Sequence, residues 1–214
     1  MNFFDVLIDT EEREAALSRI YGVVVGVVTN NKDDSGMGRV KVKFPWLSDQ
    51  DESYWARIAA PMAGKERGFY FLPEVEDEVL VVFEQGDVRF PYVIGALWNG
   101  KEKPPAKNED GKNNIRVIKS RSGHVIRLND EDGKEKIEII DSKNNSIIFD
   151  TANNSITIKT DKDITLSAAK GTIKLEAKNI EIKASSNTKI EANSGMDIQA
   201  KNTTNIKGKP INLN

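Results

Sequence analysis

The apolar residues in the last third of the chain follow one short repeat. From Ile137 onward, two apolar residues separated by one polar residue recur about every eight positions, ten times in all. A fixed short period of this kind is typical of a repeating architecture. The pairs are Ile137/Ile139, Ile147/Phe149, Ile156/Ile158, Ile164/Leu166, Ile173/Leu175 and Ile180/Ile182, followed more weakly by Thr188/Ile190, Met196/Ile198, Thr204/Ile206 and Ile211/Leu213.

This alternation predicts short strands with one apolar face, because successive side chains of a strand point to opposite sides. Asn, Asp, Gly, Ser and Lys separate the pairs, and most of these residue types favour tight bends. Each unit is therefore one strand and one corner, and it cannot bury its apolar face alone, so the units must stack. One chain could coil into a three-sided prism of about three turns, or three chains could intertwine.

We favour three intertwined chains, because one strand from each chain then closes every level and leaves no exposed strand edge. The inward-facing pairs are predicted to form the structural core of this shaft. The residues predicted for that core are Ile156, Ile158, Ile164, Leu166, Ile173, Leu175, Ile180 and Ile182.

Residues 21–100 show the pattern of a separate all-β domain. Strands are predicted at 21–29, 39–44, 54–60, 78–84 and 91–97, with turn residues between them, which indicates a small closed barrel. Every Trp and Tyr of the chain lies in this half, which predicts an aromatic core. Residues 1–20 are predicted to be an arm with a short helix, which either packs on its own domain or docks another subunit.

Several segments of this half resemble the OB-fold domain of the contractile-tail spike family. That family comprises phage baseplate assembly protein V, the VgrG spikes of type VI secretion and the spikes of extracellular contractile injection systems. The segment SGHVIRLND (122–130), with Gly133 and the pair Ile137/Ile139, resembles the start of the family's trimeric β-helix. The segments that resemble the OB-fold domain are GVVTN (26–30), GRVKVKFPW (38–46), WARIAAP (55–61), FLPEVEDEVLV (71–81), GD (86–87) and PYVIGALWNG (91–100).

The resemblance implies an all-β protein in which an N-terminal OB-fold barrel precedes a trimeric intertwined β-helix needle. Its expected divisions are an arm at 1–20, the OB-fold domain at 21–100, a linker at 101–120 and the β-helix spike at 121–214. The linker is too short for the lysozyme domain of some phage spikes. His124 is the only histidine, so the iron-binding His-x-His apex of other spikes is not expected.

The implied function is that of a homotrimeric central spike, which pierces the target envelope when a sheath contracts. A separate hub protein and tail tube are expected on the N-terminal side, and a PAAR-type tip protein at the C-terminal end. The expected location is the baseplate of a phage tail or tail-like particle, after synthesis in the cytoplasm without a signal peptide. The alternatives are a receptor-binding fibre or adhesin and an OB-fold nucleic-acid-binding module.

Composition and candidate chemistry favour the mechanical role. The 214 residues carry 31 basic and 33 acidic side chains, which does not favour nucleic acid or acidic lipid as a partner, and no cysteine is present. The acidic group around Glu74 and Glu78 and the segment 130–133 are interpreted as turns, and His124 as a turn residue. No catalytic, cofactor-binding or metal-binding residue is predicted, and we expect no enzymatic activity and no cofactor.

Overall fold

The computed structural model describes residues 19–47 and 51–211. The chain divides into two units, Met1–Asp161 and Lys162–Asn214. The described residues contain β-strands and a single-turn 3-10 segment at Glu84–Gly86, and no helix among them could cross a membrane. The predicted N-terminal helix falls almost entirely outside the described residues.

All described strands lie in the first unit. In chain order they are β1 Val24–Asn30, β2 Lys41–Lys43, β3 Arg57–Ile58, β4 Ala63–Gly64, β5 Arg67–Gly68, β6 Glu78–Phe83, β7 Pro91–Leu97, β8 Ile115–Lys119, β9 Val125–Asn129, β10 Lys136–Ile140, β11 Ser146–Asp150 and β12 Ser155–Lys159.

The first five-stranded sheet has the order β2-β1-β6-β7-β3 and accounts for the predicted barrel region. Its neighbours are antiparallel except for β3 and β7, which are parallel. The sheet curls until its outer strands meet, because Val40 and Ala56 form an antiparallel bridge with N–H···O distances of 3.0 and 2.7 Å. Strands lie where the alternation predicted them, and the structure adds the small β4–β5 hairpin.

The interior of this sheet is made mainly of valine, so the prediction of an aromatic core is wrong. Trp46, Tyr54 and Trp98 are exposed, Trp98 to 70%. β-Branched side chains suit a strand, and beside the valines the interior admits the rings of Phe44 and Phe83, whose centroids lie 5.6 Å apart. The buried residues are Val28, Val40, Val42, Phe44, Ala56, Val79, Val81, Phe83 and Val93.

The second five-stranded sheet is an antiparallel meander with the order β12-β11-β10-β9-β8. Strand β8 lies inside the predicted linker 101–120, so the paired region starts earlier than expected. Each tight turn of the meander includes a residue in the left-handed conformation, which lets the chain reverse within a few residues. These residues are Gly123, Gly133, Asn144 and Asn154.

The second unit consists of extended segments joined by regularly spaced bends, and no strand pairing occurs among its described residues. Successive bends are nine, seven, eight, eight and eight residues apart. Each bend begins five residues after the first member of a pair, as the predicted corners require, whereas the predicted strand of each unit stays a prediction. The bends begin at Ala169, Lys178, Ser185, Asn193, Lys201 and Lys209.

The close packing of the first sheet generates a prediction about Gly26. This glycine is buried in β1, and a Cβ added there would lie 2.3 Å from Val42 Cγ1. We expect Gly26→Ala to lower the free energy of unfolding by about 1–3 kcal/mol, because the overpacked core must shift. Gly95→Ala in β7 is the matched control, since a Cβ there meets nothing within 4 Å. Equal urea-unfolding midpoints for the two variants would contradict this account.

Candidate assembly surface

One face of the second sheet is a continuous apolar surface, which we call the apolar face. Residues opposite each other on neighbouring strands share a face, and Ile139 lies opposite Ile126 on one side and Ile147 on the other. The side chains of this face are between 38% and 66% exposed. It comprises Ile118, Ile126, Leu128, Ile137, Ile139, Ile147, Phe149, Ile156 and Ile158.

The opposite face of the same sheet carries charged side chains in complementary cross-strand pairs. Arg127 lies 3.3 Å from Glu138, and Lys136 lies 3.8 Å from Asp150. Such pairs are at home in water and stabilise a sheet only modestly. This opposite face also holds the half-buried Ile115, Val117, Val125, Ile140 and Ile148, so the two faces differ in exposure. The apolar face exposes far more apolar surface than isolated surface residues would.

The corners of this sheet are held by short-range hydrogen bonds. At the β10–β11 turn, Asp141 accepts hydrogen bonds from the N–H of Lys143 (2.8 Å) and Asn145 (2.9 Å), and from the Asn145 amide (2.8 Å). The Asn145 amide, and then the two backbone N–H groups, lower the pKa of the Asp141 carboxyl against an opposing effect of desolvation. The N–H of Ser142 donates to His124 Nδ1 at 3.3 Å, which ties this corner to the β8–β9 turn.

A second exposed apolar feature lies on the first sheet, where the β4–β5 hairpin borders a groove of about 730 Å³. Phe69, Tyr70 and Phe71 line it with their side chains largely exposed, and the rings of Phe69 and Phe71 stack 6.4 Å apart. Their exposure excludes these three side chains from the core of the domain.

The basic side chains beside the barrel's Trp55 are paired with carboxylates. Arg39 and Lys41 each lie 5.6 Å from the centre of the Trp55 ring. Arg39 binds Asp33 at 2.8 Å and lowers the pKa of that carboxyl far below its ordinary value, and Lys41 lies 3.0 Å from Glu52. Carboxylates therefore already compensate both cations beside Trp55, which reduces the positive charge available there to a single-stranded nucleic acid.

Residues 24–98, the segment that forms the curled sheet, match the family described as the type VI secretion system/phage-baseplate injector OB domain. This segment is therefore an OB domain of the VgrG-like baseplate and spike family.

Relatives within this VgrG-like family extend the similarity beyond the OB domain. The chain is 30% identical over 136 residues to the type VI secretion system spike protein VgrG1b of Pseudomonas aeruginosa, 32% over 133 residues to VgrG5 and 33% over 132 residues to VgrG2a of the same organism. These matches cover 56–58% of this chain and 16–18% of the relatives. The chain thus spans less than a fifth of the length of these relatives.

The residues predicted for the shaft core lie in two parts of the chain, strand β12 and the second unit. Ile156 and Ile158 lie in β12 on the apolar face. The other six lie in the second unit, where their side chains are 50–71% exposed, so their burial in a core stays a prediction. These six are Ile164, Leu166, Ile173, Leu175, Ile180 and Ile182.

The predicted repeat does not include all residues of the apolar face. Ile118, Ile126 and Leu128 belong to it, although the count of repeating pairs began at Ile137. The signal was present, because Ile126 and Leu128 are separated by the single polar residue Arg127. Their distance of eleven residues from the next pair exceeds the repeat, so the periodicity did not include them.

The remaining candidate residues form turns. Asp77 accepts a hydrogen bond from the N–H of Glu74 at 2.8 Å, and Glu74 lies 2.6 Å from Arg121 of the β8–β9 turn. Gly133 ends the predicted 130–133 turn with a φ of 73°. Within residues 19–47 and 51–211, no cluster of three or more acidic or histidine side chains could hold a metal ion.

The hydrogen bonds of Asp141 predict a dependence of stability on pH. Because its folded-state pKa is lowered, the carboxylate stabilises the fold above the unfolded pKa of about 3.9, and this contribution is lost as the pH falls below that value. We expect the melting temperature of the wild type to fall more between pH 5 and about pH 3 than that of Asp141→Asn, which keeps the shape but not the charge. Identical falls in both proteins would contradict the assignment.

Proposed function

We propose that the protein is the central spike of a contractile injection system or phage-tail baseplate, a homotrimeric needle that pierces the target envelope when the sheath contracts. The family supports a structural role in such a machine, and the relatives are spike proteins by name. One observation carries the proposal. The apolar pairs continue past Asp161 with a regular corner for each pair, yet no described residue there forms a strand within its own chain.

The exposed apolar side chains of the sheet and of the second unit require a partner that buries them. A soluble monomer rarely exposes a contiguous apolar patch of more than a few hundred Å². Here the apolar face is followed by at least ten further apolar side chains in the second unit that are exposed to about one half or more, among them Ile173, Ile182 and Ile198. Burying them would remove the largest uncompensated apolar surface of the chain from water.

Further copies of the same chain are the partner that best matches the spacing of these side chains. The bends of the second unit are not evenly spaced, since intervals of nine and seven residues precede the intervals of eight. A partner strand must match these intervals, or inward and outward residues exchange places at the next level. Identical copies match them at every level without further adjustment, whereas an unrelated chain would need the same irregular spacing.

Open strand edges favour three copies of the chain over two. Two chains packed face to face would leave strand edges open, whereas one strand from each of three chains closes a ring at every level. The seven pairs after Asp161, at roughly 4.8 Å per level, give a rod on the order of 30 Å long. Continuous backbone pairing around such a rod, with apolar pairs along its axis, would make it stiff enough to transmit force.

The proposed assignment extends to the parts of the chain and to its partners. Residues 21–100 serve as the OB-fold domain and 121–214 as the spike, with the shaft core formed by the eight residues from Ile156 to Ile182 named above. The proposed partners are a hub and tail tube on the N-terminal side, a PAAR-type tip protein and, transiently, the target envelope. The role is mechanical and assigns no catalytic residue, and the spike would reside in the baseplate.

The mass of the purified protein in solution tests the homotrimer. We expect light scattering to give three times the chain mass of 23.8 kDa, both before and after mild heating in detergent, because an intertwined shaft cannot separate without unpairing its strands. A monomer of 23.8 kDa would overturn the proposal and favour a single-chain solenoid.

A charge placed in the proposed core tests the shaft directly. Ile173→Asp would put three carboxylates at one level of a dry interior, and the cost of burying unpaired charge should prevent the shaft from assembling. Thr165→Asp is the matched control, since it adds the same charge at an outward position of the alternation. The measurement is the fraction of detergent-resistant trimer in each protein. Normal, heat-resistant trimers of Ile173→Asp would refute the predicted core.

A further inference from the structure

The proposed spike contains two regions that satisfy their backbone hydrogen bonds in different ways. From Ile115 to Lys159 every strand pairs with a neighbour of its own chain. Between Lys162 and Ile211 no strand pairing is present among the described residues, and a turn bond from the N–H of Gly171 to the carbonyl of Ala168 (3.1 Å) is the backbone hydrogen bond described there. The first region can therefore fold within one chain, whereas the second needs strands from other chains.

The turns of the first region support its folding without a partner. Asp141 holds the β10–β11 turn as described, and Asp150 holds the next one by accepting hydrogen bonds from the N–H of Asn153 (3.0 Å) and from its side-chain amide (3.1 Å). Asn144 and Asn154 adopt the left-handed conformation that these reversals require. All of these contacts are local in sequence, so they form before any association of chains.

The part of the second region after Ser185 specifies the alignment of three chains only weakly, in contrast to the unequal intervals between Ala169 and Ser185. Its last three corner intervals are all eight residues, and the pairs within them, such as Met196/Ile198 and Thr204/Ile206, have the same apolar-polar alternation. A chain shifted by one unit therefore still places apolar residues inward and polar residues outward. Where a register is this weakly specified, slipped pairings compete with the correct one.

The apolar face of the first region does not repeat in this way. Phe149 is its only aromatic residue, and Ile118 and Ile126 lie at the end of the face that follows the linker from the OB-fold domain. A face with distinct ends and one large side chain fits a second copy in one alignment, because a shifted copy would leave apolar surface uncovered. This face is also continuous in sequence with the repeat that the same copies would bury.

We propose that the apolar face of Ile115–Lys159 is the registration surface of the spike. Three copies of the chain first dock by this face, which fixes their alignment, and the segment after Asp161 then pairs between chains from that end onward. This inference rests on the proposed homotrimer and adds an order to its assembly. It assigns the two regions different roles: association depends on the first, and the stiffness and detergent resistance of the shaft depend on the second.

Two substitutions in the full-length protein separate these roles. Ile139→Asp places a charge at the centre of the apolar face, and Ile182→Asp places the same charge in the second region. We expect Ile139→Asp to be monomeric in detergent-free buffer, with unprotected amides after Asp161. We expect Ile182→Asp to remain trimeric there, with amides of Ile115–Lys159 protected and exchange in the second region accelerated by about a hundredfold or more. Thr157→Asp, on the opposite face of β12, is the matched control and should behave as the wild type.

The outcomes distinguish the registration surface from the trimer itself. A monomeric wild type would overturn the homotrimer. A trimeric wild type combined with a monomeric Ile182→Asp, or with a fully trimeric Ile139→Asp, would overturn the registration surface alone. Ile139→Thr guards against misfolding, since threonine keeps the β-branched shape favoured in strands. It should keep the amide protection of β9–β11 and weaken the trimer at least tenfold, and wild-type association of this variant would also count against the proposal.

Discussion

The structure depends on the inability of a short strand to cover its own apolar face. Each repeating unit presents two apolar side chains on one side and charged or hydroxyl side chains on the other, so it gains stability only when other units cover it. In the barrel, one chain provides that cover by curling its sheet around a valine interior. In Ile115–Lys159 the chain pairs its strands but leaves one face open, and after Asp161 it leaves both the face and the backbone without a partner strand. The amount of apolar surface and backbone that the chain's own strands leave unpaired therefore increases along the sequence.

This increase fits the proposed mechanical function, in which the two halves of the protein have different roles. A barrel that is complete by itself could be held by a neighbouring component, and in the proposed trimer the part with the open apolar face would form a continuous bundle. Ion pairs such as Arg127–Glu138 keep the outer surface soluble without adding specificity. In the proposed trimer, the side chains that would matter for force are those on the axis, because their burial and the strand pairing around them would resist bending together.

Much of this organisation could be predicted because it is encoded by neighbouring residues. Strand β7 lies at the predicted 91–97, and the corners of the second unit follow the predicted pairs at a constant distance. Alternation and turn residues act over a few positions, which is why they were sufficient. The location of Trp46 and Trp98 was not predictable in this way, because the number of aromatic residues does not reveal which face of a curled sheet they occupy. Strand β8 was missed because its partner, β9, rather than its own sequence, defines it as part of the sheet. The partner that would bury the apolar pairs of the repeat is not specified by neighbouring residues, so no local pattern contains that information.

The unequal spacing of the corners has a consequence for how such proteins coexist. In the proposed trimer, the intervals of nine and seven residues at Ala169, Lys178 and Ser185 must coincide in all three strands before the regular intervals begin. A related spike with another order of intervals would be displaced by one residue at the first mismatch, and its apolar pairs would then point toward water. Where a cell makes several spikes of similar composition, the order of long and short units would sort each chain with its own kind.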